Sequence, residues 1–133
     1  MPIVFGFKMD EPAKAKYQIL VVDDEPTVCK AIQMMLHFYG HEVQTAGDGV
    51  AALALFEAGH FDLVITDYLM PEMRGDQLVA HIKKRRPAQH IILATAFAED
   101  FLLYGKPTGG VDHVLTKPFS LEDLRTAIEK VMA

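Results

Sequence analysis

Short, unbroken apolar runs recur along this chain, and between them the apolar residues switch to helical spacing. The strongest runs are Ile19-Leu20-Val21-Val22, Leu63-Val64-Ile65-Thr66 and Ile91-Ile92-Leu93-Ala94, with weaker ones at 42–46 and 111–115. Runs this short suit strands and are too brief for helices. After the first run, Val28, Ile32, Met35, Leu36 and Tyr39 fall at i, i+4, i+7, i+8 and i+11. That is one face of a helix, which Pro26 opens and Gly40 ends. A second helix is expected over 49–58, with Val50, Leu53 and Phe56 on successive turns. A third starts at Gly75, carries Leu78, Val79 and Ile82, and stops before Pro87. The last starts at Ser120, which with Asp123 makes an S-x-x-D start signal, and carries Leu121, Leu124, Ile128 and Val131.

Alternating strands and helices imply an α/β domain with a parallel sheet. Continuously apolar strands imply helices on both sheet faces. Between Phe97 and Gly110 a fourth helix has room for only about two turns, from Glu99 to Tyr104. Lys106-Pro107-Thr108-Gly109-Gly110 cannot continue it, so this helix is expected to be short or irregular.

The 133 residues make one domain, large enough to hold a core without disulfides or a structural metal. Residues 1–16 show no sustained periodicity and are expected to be a flexible tail ahead of a domain over 17–133. Thirteen basic against eighteen acidic residues give a net charge of −5, which argues against general nucleic-acid binding. No run approaches the ~18 apolar residues of a membrane span. Cys29, the only cysteine, excludes an intrachain disulfide or a CxxC site and fits a cytoplasmic location; it reads as a small core residue. The six histidines show no paired metal spacing and read as surface or half-buried side chains. Met34 and Met35 read as helix packing, and Lys83-Lys84-Arg85-Arg86 as charge complementing a helix end.

In an open α/β sheet, sites form at the carboxyl ends of the strands. Here the ends carry Asp23 and Asp24, Asp67, Thr95, and Lys117-Pro118. Three close carboxylates repel unless protons or a cation relieve them. An all-oxygen set without His or Cys suits Mg²⁺ or Mn²⁺. Mg²⁺ on one or two carboxylates leaves room for a phosphoryl oxygen, which points to phosphoryl transfer. Asp67 can then act as nucleophile, Lys117 can neutralise the transferring group and Thr95 can hydrogen-bond it. Competing readings fit less well. Gly47-Asp48-Gly49-Val50-Ala51-Ala52 has the form of a dinucleotide fingerprint, but it follows the second strand and leaves Asp23, Asp24 and Lys117 unexplained. A dehalogenase-like phosphatase would need an acid two residues past the nucleophile, and that residue is Leu69.

The texts ILVVDDE, LVITDYLMPEMRGDQL, IILATA and VLTKPF, taken together, resemble the receiver domain of bacterial two-component response regulators of the chemotaxis-regulator type. The resemblance covers the chain from Tyr17 onward. It implies a flavodoxin-like three-layer fold with a five-stranded parallel sheet in the order 2-1-3-4-5. It makes Asp67 the phosphoacceptor, Thr95 the switch hydroxyl and Lys117 the phosphate-pairing lysine. It makes Asp24 a direct Mg²⁺ ligand, with Asp23 acting through water and the backbone carbonyl of Leu69 completing the set. It also implies a cis Lys117–Pro118 bond, a sensor histidine kinase or phosphotransfer protein as donor, and a downstream protein target. The implied protein is a signalling switch without turnover of external substrates. No direct nucleic-acid or membrane partner is implied, and dimerisation is left open. One departure stands out: where many receivers carry an aromatic residue three before the lysine, this chain has Val114.

Overall fold

The computed structural model describes residues 15–104 and 110–133. Most of the expected tail, and residues 105–109 beyond the fourth helix, lie outside this range. Ten elements alternate in chain order. They are β1 Gln18–Val22, α1 Pro26–Phe38, β2 Glu42–Ala46, α2 Gly49–Ala58, β3 Leu63–Thr66, α3 Gly75–Arg85, β4 His90–Thr95, α4 Ala98–Tyr104, β5 His113–Thr116 and α5 Leu121–Met132. The strands form one sheet in the order β2-β1-β3-β4-β5, and every neighbouring pair is parallel.

The alternation of side chains along the central strands divides the core in two. Ile19 and Val21 of β1 join Ile65, Ile92, Ile32, Leu36, Leu124 and Ile128 on the face covered by α1 and α5. Leu20 and Val22 join Val64, Ile91, Phe56, Leu78 and Ile82 on the face covered by α2 and α3. Both faces of β1 and β3 are buried, which is why these runs contain no polar alternation. A smaller third cluster holds Tyr68, Leu93 and Phe101.

The helix ends follow from local chemistry. Gly40 adopts φ +90° and ends α1, a conformation that a side chain resists. Asp48 caps α2 by accepting from the N–H of Ala51. Ser120 and Asp123 form a reciprocal capping box, so Ser120 precedes α5 and Leu121 is its first residue.

Four expectations need correction. β5 starts at His113 rather than at residue 111, because Gly110 turns at φ +87° and Asp112 makes the entry with its own groups. The Asp112 N–H donates to Ile91 O, and its carboxylate accepts from the N–H of Ile91. Of the stripe expected on α2, Phe56 is buried and Leu53 packs against the core, but Val50 is exposed and Ala52 is buried in its place; GVAALALFEA is apolar nearly all round, so periodicity could not choose a face. Met34 is 61% exposed, and only Met35 packs against the core. His41 is buried rather than superficial: its Nδ1 accepts from the N–H of Tyr17 at 3.1 Å, and its ring stacks on Tyr17. Cys29 is buried as expected.

Candidate functional site

Three strands deliver their last residues to one rim by the same device. The sheet ladder runs a residue beyond each strand end. The Asp23 N–H donates to Ala46 O, that of Asp67 to Val22 O and that of Lys117 to Thr95 O. Each candidate residue is therefore pinned through its backbone at the rim of the sheet.

The three aspartates each present an oxygen within 4.8 Å of the others. Asp23 and Asp67 are buried, and Asp24 is exposed. At that separation each charged pair repels by about 3 kcal/mol at an effective dielectric near 20. Lys117 relieves part of this. Its Nζ donates to Asp23 Oδ2 at 2.5 Å and to Asp67 Oδ2 at 3.2 Å. Burial alone would lower the ammonium pKa, but the hydrogen bond to Asp23 and the charges of Asp67 and Asp23 outweigh it, and the net shift is upward. Lys117 thus stays charged where it is needed, and Lys117–Pro118 is cis.

The other oxygens of Asp67 and Asp23 are also held. Asp67 Oδ1 accepts from the N–H of Tyr68 at 2.7 Å, and Asp23 Oδ1 accepts from that of Glu25 at 2.9 Å. Thr95 is fully buried, and its Oγ1 accepts from the N–H of Phe97 at 3.0 Å. Leu69 lies in the loop after Asp67 with a partly exposed side chain. The donors are all oxygen, one carboxylate is open to solvent, and the single Lys117 ammonium offsets only part of the charge of three carboxylates. That chemistry fits a hard divalent cation such as Mg²⁺.

Three contributors escaped the sequence reading. Tyr68 holds Asp67 through its backbone, and no residue type signals a backbone donor. The Cys29 thiol donates to Asp23 O at 3.2 Å, beneath the acidic end of β1; burial and then the Asp23 charge push that thiol pKa up. Arg74 forks onto the buried Asp76 through Nε at 3.0 Å and Nη2 at 3.3 Å, which braces the loop between β3 and α3. Within that loop Glu72 takes φ 71°, a conformation costing a non-glycine residue about 1 kcal/mol. Gly75 closes it, donating to Tyr68 O at 2.6 Å.

The family model for the response regulator receiver domain matches residues 19–129. Among curated proteins, the chain is 36% identical over 107 residues to the probable transcriptional regulatory protein TcrX of Mycobacterium tuberculosis, covering 80% of this chain and 45% of that protein. It is 34% identical over 116 residues to the sensor kinase CckA of Brucella abortus, covering 86% of this chain and 12% of that one. The chain thus spans less than half the length of these relatives. Among solved structures, the response regulator TrrA of Thermotoga maritima in complex with Mg(2+)-BeF superposes with a TM-score of 0.80 at 33% identity, covering 88% of this chain and 99% of that one. The chemotaxis protein CheY4 of Vibrio cholerae superposes with a TM-score of 0.82 at 29% identity and the same coverage.

Proposed function

On the premise that the chain belongs to the receiver domains of response regulators, the phosphoacceptor switches of two-component signalling, we propose that Asp67 is its phosphoacceptor. The observation that carries this reading is the Lys117 ammonium set between Asp23 and Asp67, on the rim that Asp24 also faces.

The donor is a phosphohistidine on a sensor histidine kinase or a phosphotransfer protein. An Asp67 carboxylate oxygen attacks phosphorus, the phosphorus–nitrogen bond breaks, and its electron pair returns to the imidazole. Asp67 becomes an acyl phosphate. Lys117 faces the charge that builds on the phosphoryl oxygens and is already oriented for it. Thr95 turns its hydroxyl to a phosphoryl oxygen. Asp24, Asp23, Asp67 and the backbone carbonyl of Leu69 are the groups that would hold Mg²⁺ (or Mn²⁺). Bound there, the ion would supply positive charge to offset the negative charge of the transfer. Leu69 offers no acid to protonate an external leaving group, so the domain acts as a switch that modifies itself rather than as a turnover enzyme. A downstream protein target reads the phosphorylated state. Among the described residues no helix is long and apolar enough to cross a membrane.

The test is intact mass after exposure to acetyl phosphate with Mg²⁺. A single phosphoryl increment on the native chain, absent from Asp67→Asn, is expected. An increment that persists in Asp67→Asn would assign the acceptor elsewhere.

A further inference from the structure

α2 differs from its neighbours in what it turns to solvent. α1 exposes Lys30, α3 exposes Lys84, and α5 exposes Glu122 and Lys130. The outer side of α2 carries the exposed Ala51, Ala54 and Ala58, flanked by Val50 and the half-buried Leu55. At 3.6 residues per turn the three alanines fall within about 60° of one another, across the helix from the buried Ala52 and Phe56. Glu57 is the one charged residue of this helix, and Arg85 pairs with it. Helix propensity accounts for exposed alanines. It does not account for Val50, which is 63% exposed and, being β-branched, is a poorer helix former. A helix that is apolar all round is normally covered all round.

The charges at the two ends of this face indicate what covers it. Asp48 is exposed at the start of α2. Just past the other end, the His60 side chain is 74% exposed, and its Nδ1 lies 3.3 Å from Arg86 Nη1. One end is therefore acidic and the other carries a guanidinium. Asp48 stands six residues before Ala54 and His60 six residues after it, so the face is complementary to itself. A second copy laid antiparallel, with the two-fold axis at Ala54, sets each Asp48 opposite His60 and Arg86 of the other copy, and each Ala51 opposite Ala58. The small side chains let the two helices approach to about 8 Å, the close end of the usual range. Antiparallel helix dipoles attract. An uncharged centre with charges at its margin is the pattern of a protein interface.

We propose that the outer face of α2 is a self-association surface, covered by a second copy of this chain in an antiparallel, two-fold arrangement centred on Ala54. None of Asp23, Asp67 and Lys117 belongs to this face, so the inference does not rest on Asp67 being the acceptor, and association does not require phosphorylation. A helix of ten residues is about 15 Å long. The area it can bury falls below the roughly 1,200 Å² of a standard interface, so the dimer is weak and reversible.

The experiment is sedimentation velocity of the full chain from ~10 µM to ~1 mM, the range in which an interface of this size associates. The native chain should shift from monomer toward dimer across that range, equally with and without beryllofluoride and Mg²⁺. Ala54→Lys places two ammonium groups together on the axis and should weaken association at least tenfold. Val50→Glu should do the same, and it decides the matter should Ala54→Lys prove unfolded by urea titration. Under mild oxidation Ala54→Cys should form an intermolecular disulfide, because a residue on a two-fold axis meets its own copy. Thr126→Cys, also exposed but on α5, should not. A native chain that stays monomeric at ~1 mM, dimers that appear only with the phosphoryl mimic, dimers that both α2 variants leave unchanged, or equal cross-linking at positions 54 and 126 would each overturn the inference.

Discussion

Gly75→Ala isolates a single physical cause. At most helical positions this change stabilises by about 0.4–1 kcal/mol, because alanine loses less backbone entropy on folding. At Gly75 an added Cβ would sit 2.0 Å from Asp67 O, 2.9 Å from Asp67 C and 3.0 Å from Tyr68 Cα. An ordinary contact begins at 3.4 Å, so the backbone carrying Asp67 must yield by the difference of 3.4 and 2.0, or 1.4 Å. None of the three atoms is the end of a flexible side chain. Overpacking of this kind costs roughly 1–3 kcal/mol, and at a backbone the upper part of that range applies. The net expectation is a loss of about 2 kcal/mol, opposite in sign to the usual effect. Urea unfolding at unchanged slope measures it. Gly47→Ala is the control: its Cβ meets nothing within 4 Å, so it should be neutral or stabilising. Because Gly75 presses on Asp67 itself, phosphorylation by acetyl phosphate should fall together with stability. A Gly75→Ala protein as stable as the native one and equally phosphorylated would refute the reasoning.

Asp24→Asn should lower Mg²⁺ affinity at least about tenfold, since a contact to a charged group is worth ~1.5–3 kcal/mol. Asp24 is exposed, so unfolding stability should stay within about 0.5 kcal/mol; a Mg²⁺ titration that matches the native chain would show the wrong ligand was chosen. Burial holds the His41 imidazole below its ordinary pKa, and the neutral ring accepts from Tyr17. The stability it contributes is complete above the unfolded value, about pH 6.5, and is lost as pH falls through the lower folded value. The native chain should therefore weaken more steeply than His41→Asn on acidification below that point, and parallel pH profiles would contradict this. Leu69 and Phe97 follow Asp67 and Thr95 by two residues and cannot hydrogen-bond a water approaching phosphorus. Phosphate release from the native chain should be about tenfold slower than from Leu69→Asn, Phe97→Ala, the net worth of one hydrogen bond to the attacking water. A native chain that releases phosphate faster would end that idea.

The sheet was legible because β1, β3 and β4 are buried on both faces, and nothing but a strand suits so short an apolar run between turns. Its strand order came through the family resemblance, since local spacing carries no information on which strands are neighbours. The acidic rim was legible because each candidate residue follows an apolar run directly or after a single threonine, so strand ends and candidate residues coincide at Asp23, Asp67 and Lys117. What escaped was set by tertiary context. Met34 and Met35 are adjacent and chemically identical, yet only the packing of α1 decides that Met35 is the inner one. His41 became buried because the start of β1 lies against it, a contact 24 residues away in the chain. Arg74 and Asp76 flank Gly75, where the third helix begins, in a polar stretch that reads as solvent-facing, and only the fold buries the carboxylate.

The bridge from Lys117 to Asp23 and Asp67 also bears on how the chain assembles. It joins residues 94 and 50 positions apart, among the most non-local contacts in the domain. Parallel pairing already makes such a topology slow to fold, because long loops must close before their contacts contribute. β1 and β3 can pair before β5 arrives, and that pairing brings two carboxylates together with no cation between them. Docking β5 supplies the missing ammonium. The last strand of the sheet is therefore drawn in by charge as well as by apolar burial, and an edge strand that would otherwise peel first is clasped to the middle of the sheet. Until β5 docks, a divalent cation in the medium can perform the same neutralisation. Refolding of this chain should consequently speed up with added Mg²⁺, before any phosphoryl donor is present.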